Sequence, residues 1–70
     1  MTVFNNLDAE MRRKRITQEE LAIRMGINPS TLSQKMTGKR EFSLTEAKKI
    51  KHILEVNIPI EELFSVIDSA

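Results

Sequence analysis

Seventy residues, 40% of them apolar and none of them cysteine, tryptophan or tyrosine, place this chain near the lower limit for independent folding, where one core leaves only ~3–5 kcal/mol of net stability. Disulfide scaffolds and thiolate metal sites are excluded. Net charge is only +1, yet it is segregated: residues 11–40 hold eight basic side chains against Glu19 and Glu20, while the other forty hold Lys48, Lys49 and Lys51 against eight carboxylates. Segregation of this kind produces a field that points one way; a plain solvated surface is the alternative reading. No apolar run approaches the ~18 residues of a membrane span and no basic-then-apolar leader opens the sequence, so a cytoplasmic protein is expected.

Helical periods dominate, and nothing alternates at period two for long enough to make a strand. The first helix is predicted over residues 4–14, with Phe4, Leu7 and Met11 on its inner stripe and the basic run 12–15 at the end where the helix dipole favours positive charge. Thr17 with Glu20 reads as a capping box opening a second helix, whose inner stripe is Leu21, Ala22 and Met25 and which Gly26 stops. Asn28-Pro29 restarts the chain as N-cap and first helical residue, and this third helix runs to about Thr37, before Gly38. Ser43 with Glu46 makes another capping box, for a fourth helix with Leu44, Ala47, Ile50 and Leu54 inward. Pro59 opens a short fifth helix carrying Ile60, Leu63, Phe64 and Ile67. No repeat or linker interrupts the pattern, so residues 1–70 are expected to form one compact all-α domain of five helices with a core of Leu21, Met25, Leu32, Met36, Ile50 and Leu63.

The third helix has an unusual outer face. Counting 100° per residue from Ser30, Ser33 falls about 60° to one side, Gln34 about 40° to the other and Thr37 within about 20°. Leu32 and Met36 lie opposite. The outer face is small and polar and carries no carboxylate, whereas a helix built for solubility usually mixes Glu and Lys there. Its hydrogen-bonding groups suit close approach to base edges in a groove.

The segments TQEELA, GIN, STLSQ and GKR, in unbroken spacing, resemble the helix-turn-helix domains of phage Cro proteins and lambda-type repressors, also called the XRE family. The resemblance covers about residues 7–64, with the motif itself at 17–37, and IPIEELF is similar to the family's fifth helix. It implies a lambda-repressor-like fold and a sequence-specific transcriptional regulator, a Cro-like phage or prophage repressor in a bacterial cytoplasm. Double-stranded operator DNA would be bound in the major groove by the helix 28–37, with two copies on a palindromic site. No cofactor, membrane contact or small-molecule ligand is implied. Gln18 matches the glutamine that holds a phosphate at the start of helix two. Ser30, Thr31, Ser33 and Gln34 match recognition-helix positions, with Asn28 and Thr37 as further DNA-binding candidates at the two ends of that helix, and Gln34 is the foremost base reader because an amide pairs in two places with adenine. Lys39 and Arg40 match the phosphate-binding turn, and helix four near Ser43 offers backbone N–H groups to another phosphate. Two departures stand out: Met36 replaces a glutamate common in relatives, opposite Met11 in place of its arginine partner, and Pro29-Ser30 replaces longer amides.

Other readings of these residues are plainer. Met11, Met25 and Met36 are expected as core filler, and His52 as a surface residue with no partners for a zinc site. Ser30 and Ser33 have no evident base to make them nucleophiles, so no enzyme is expected. The basic run 12–15 splits between phosphate contact and solvation, and Ile23 is expected to be exposed. Val66 and Ile67 are candidates for a dimer contact. The rival function is a protein-binding module, such as an antitoxin holding a toxin on the same fold.

Overall fold

Short-range capping signals set most helix boundaries. The computed structural model describes residues 2–66, and in it five helices follow one another: α1 (Asn5–Lys14), α2 (Gln18–Met25), α3 (Pro29–Met36), α4 (Leu44–Leu54) and α5 (Ile60–Leu63). Thr17 caps α2 through its hydroxyl, which accepts from the Glu20 amide at 3.1 Å. Only half of the expected box forms, because the Glu20 carboxylate turns along the helix to Arg24 at 3.5 Å instead of back to Thr17. Asn28 caps α3 from the Ser30 amide at 2.8 Å, with Pro29 at the first helical position. The box at Ser43 and Glu46 is complete.

α2 packs on α3 and α4, α4 also on α1 and α5, and α1 on α5. Leu7, Met11, Leu21, Ala22, Met25, Leu32, Met36, Ile50, Leu54 and Leu63 form one buried cluster, which contains all six predicted core residues. Met11 and Met36 both lie in it as core filler, as expected. A Cα radius of gyration of 11.0 Å matches the ~11 Å expected of a compact 70-residue chain.

Several expectations need correction. Phe4 precedes α1 as its N-cap and is half-buried. Leu44 is 63% exposed, since the first residue of α4 lies ahead of the turn that meets the core; Ala47, Ile50 and Leu54 alone carry the buried stripe. Phe64 caps α5 from outside it, and Ile67 lies outside the described residues. Phe4, Phe42 and Phe64 instead meet edge to face, with ring centroids 5.2–5.7 Å apart, an arrangement worth ~0.5–1.5 kcal/mol per pair beyond area burial. Ile23 and His52 are exposed as expected.

α1 and α4 end on left-handed residues that are not glycine, Arg15 at φ 56° and Glu55 at φ 52°. After Arg15 the Ile16 amide reaches back to the Met11 carbonyl at 2.9 Å, and half-buried Ile16 then packs against the core. Burial of the following residue holds Arg15 in a conformation costing ~1–2 kcal/mol.

Candidate nucleic-acid interface

α3 is held from three sides. Leu32 and Met36 are fully buried beneath it. On its flank, the Lys35 ammonium bonds the Glu46 carboxylate of α4, with side chains only 13% and 23% exposed. At its C-terminal end, the Met36 carbonyl accepts from the Val3 amide at 3.0 Å and from the Thr2 hydroxyl at 3.1 Å.

The outward face that remains is the one expected. Ser30, Ser33 and Gln34 are exposed, with Thr31 half-buried at its edge. Thr37 is the C-cap, and its hydroxyl is turned back onto the Ser33 and Gln34 carbonyls at 3.0 and 3.2 Å. It therefore closes the helix instead of offering its proton outward. Asn28 likewise spends its side-chain carbonyl on the cap, which leaves its amide N–H groups.

The turn after α3 folds back on the helix. The Gly38 amide donates to Lys35, and the Lys39 and Arg40 amides both donate to the Gln34 carbonyl, at 2.9 and 3.2 Å. Gly38 sits at φ +87°, a region open chiefly to glycine. Lys39 and Arg40 are thereby displayed on a fixed turn, exposed and without an ion pair among the described residues.

Two helix starts are the ones expected to meet phosphate. Gln18 is half-buried at the first position of α2, in a shallow crevice that also takes in Arg12, Arg15 and Thr17. At α4 the Ser43 amide is already taken by the Glu46 carboxylate at 2.9 Å, so only the amides after it are left for an anion. Glu46 also puts a negative charge there, which Lys35 offsets. Together the Lys35 and Ser43 bonds hold the Glu46 carboxyl below its ordinary value of 4.5.

Sequence reasoning missed three contacts here: the Lys35–Glu46 pair, the ties from residues 2 and 3, and buried Glu10, which bonds Arg13 at 3.2 Å. Only Glu10 had a readable signal, its spacing three residues after Leu7 on α1. In the basic run, Arg12 faces Asp8 at 3.1 Å and Arg13 faces Glu10 at 3.2 Å. Lys14 and Arg15 have no ion pair among the described residues.

Residues 6–69 match the Cro/C1-type HTH DNA-binding domain. The chain belongs to that family. This Cro/C1-type domain is all-helical in its described residues, as the resemblance implied, and it is a DNA-binding module. No individual curated protein matches the sequence. No helix of the described residues is long and apolar enough to cross a membrane. In this Cro/C1-type domain Gly26, at φ 75°, makes the turn between α2 and α3.

Proposed function

We propose that the chain is a sequence-specific transcriptional regulator, a Cro-like phage or prophage repressor, that reads operator DNA by laying α3 in the major groove. The observation that carries this reading is the outer face of α3: Ser30, Ser33 and Gln34 are exposed with no carboxylate among them, beside Lys39 and Arg40 of the next turn, which have no ion pair among the described residues. Gln34 reads a base, Ser30, Thr31 and Ser33 let the backbone approach, and Asn28 and Thr37 bound the contact at the two ends of the helix. Gln18, Lys39, Arg40 and the α4 amides beyond Ser43 hold phosphates. One recognition helix makes few base contacts, so two copies share a two-fold site with half-sites about 10 base pairs apart. Val66, 58% exposed, is the described part of the proposed dimer contact. Residues 1–70 act as one domain in the cytoplasm of the host cell, without cofactor or catalytic group.

Base and phosphate contacts separate in a titration. Gln34→Ala should weaken operator binding by the ~1–3 kcal/mol of one bidentate contact per copy and leave random DNA nearly unaffected. Lys39→Ala should weaken both DNAs alike and lower the log–log salt slope by ~0.9 per phosphate lost. Equal weakening of both DNAs by Gln34→Ala would show that the reading face is misassigned.

A protein-binding role on the same fold has one observation in its favour. An apolar groove of about 780 Å³ runs between Phe4, Phe42, Leu44, Phe64 and Val66. Co-purification of a stoichiometric protein partner, together with no DNA preference, would move the antitoxin reading ahead.

A further inference from the structure

We propose that residues 2–4 are a strap that sets the depth and pitch at which α3 meets DNA, with Thr2 and Val3 as positioning residues for base readout. The inference rests on base reading by α3. Its basis is a convergence on one atom. Within the last turn of α3, the Ser33 carbonyl accepts from the Thr37 amide, the Gln34 carbonyl from the Lys39 and Arg40 amides, and the Lys35 carbonyl from the Gly38 amide. These are local bonds. The Met36 carbonyl instead takes both of its donors from the far end of the chain, the Val3 amide at 3.0 Å and the Thr2 hydroxyl at 3.1 Å.

The strap is itself made rigid. The Thr2 hydroxyl accepts from the Phe4 amide at 3.1 Å while it donates to Met36, so one side chain closes a small ring of bonds. The Val3 methyls lie 3.6 and 3.7 Å from where a Cβ on Gly38 would stand, so they cover the glycine on which the Lys39–Arg40 turn pivots. Phe4 then packs edge to face against both Phe42 and Phe64, and two residues later Asn6 donates to the Glu62 carbonyl of α5 at 2.7 Å. Five residues thus join the end of α3, the phosphate-binding turn and α5.

Mere chain-end packing would lower stability when lost. A positioning role predicts something different. Phosphate contacts tolerate small reorientations of the domain, whereas base contacts need their donors held within about 0.5 Å. Loosening the strap should therefore erode preference before it erodes affinity for random DNA.

The test uses Thr2→Val, which keeps the shape and removes the donor, with Thr2→Ser as the variant that retains it and Gln34→Ala as the control on base reading. Each full-length protein is titrated on a duplex enriched from a random library by the parent and on random duplex, at several salt concentrations. Thr2→Val should lose about 3–10-fold of its preference, the worth of one hydrogen bond, with random-DNA affinity and salt slope unchanged. Thr2→Ser should keep the parental preference. Amide exchange in the free protein should quicken at Val3, Lys39 and Arg40 without a matching loss of global stability. If Gln34→Ala destroys preference but Thr2→Val leaves it intact, or weakens both DNAs in parallel with the melting point, the strap is overturned. If the parent shows no preference, or Gln34→Ala does not change it, base reading by α3 fails and the role of the strap falls with it.

Discussion

Glu46 ties α3 to the helix behind it, and removing its charge gives a pH-dependent signature. Its carboxylate accepts from the Ser43 amide at 2.9 Å and from the Lys35 ammonium. A cap of this kind is worth about 1 kcal/mol. The Lys35 pair lies between an exposed ion pair, worth ~0–1 kcal/mol, and a buried charged hydrogen bond, worth ~1.5–3 kcal/mol; with side chains 13% and 23% exposed, ~1 kcal/mol is the reasonable share. Glu46→Ala should then cost about 2 kcal/mol, or roughly 8–16 °C of melting temperature at 4–8 °C per kcal/mol. Glu46→Gln keeps an acceptor for Ser43 and should cost about half as much. The Lys35 bond first, and the Ser43 bond second, lower the folded pKa of Glu46 from 4.5. The folded carboxylate therefore binds its proton less tightly than the unfolded one. Its contribution is complete above the unfolded value and disappears as pH falls through the lowered folded value. Urea midpoints of parent and Glu46→Gln, taken from pH 7 to pH 3, should converge with acid. A gap that stays constant over that range would refute the assignment of this pair.

Leu32 is fully buried on the inner side of α3, so Leu32→Ala should cost ~2–5 kcal/mol, most of the stability a domain this size holds; a circular-dichroism melt within a few degrees of the parent would count against the core. Arg15→Gly relieves a left-handed backbone at φ 56° and should raise stability by about 1 kcal/mol. A lower urea midpoint would show that the Arg15 side chain contributes more than its backbone costs.

What the sequence disclosed was local. Thr17, Asn28-Pro29 and Ser43 with Glu46 place helix starts because a cap acts within three residues, and the inward stripes follow from the 3.6-residue period. The outer face of α3 was legible for the same reason. The end of α1 at Lys14 was legible in the basic run that closes it, but that of α4 was not, because Glu55 takes the left-handed conformation that glycine usually advertises. Leu44 misled because periodicity cannot tell that the first turn of a helix overhangs the core. Contacts between distant residues gave no signal at all. Lys35 finds Glu46 eleven residues on, and Thr2 finds Met36 across thirty-four; each depends on where whole helices come to rest. Phe4 and Phe64 looked like separate stripe residues, and Phe42 carried no signal, until the fold brought the three rings together edge to face.

Ion pairs, three within single helices and one between α3 and α4, change how the charge pattern should be read. The excess of cations in residues 11–40 overstates the field that DNA would meet. Arg12, Arg13 and Arg24 face carboxylates at 3.1, 3.2 and 3.5 Å, and Lys35 is held by Glu46. Of those four carboxylates only Glu20 belongs to the basic stretch; Asp8, Glu10 and Glu46 are brought to it by α1 and α4. Lys14, Arg15, Lys39 and Arg40 remain without an ion pair among the described residues. The first two precede α2 and the last two follow α3, so the free positive charge brackets the helix-turn-helix in the chain. Charges this exposed act over roughly 8–10 Å at physiological salt, too short a reach for long-range capture. On the proposed reading, so few phosphate contacts would leave random DNA weakly held. Occupancy of a site would then depend on the short polar face of α3 and on whatever keeps that face in register.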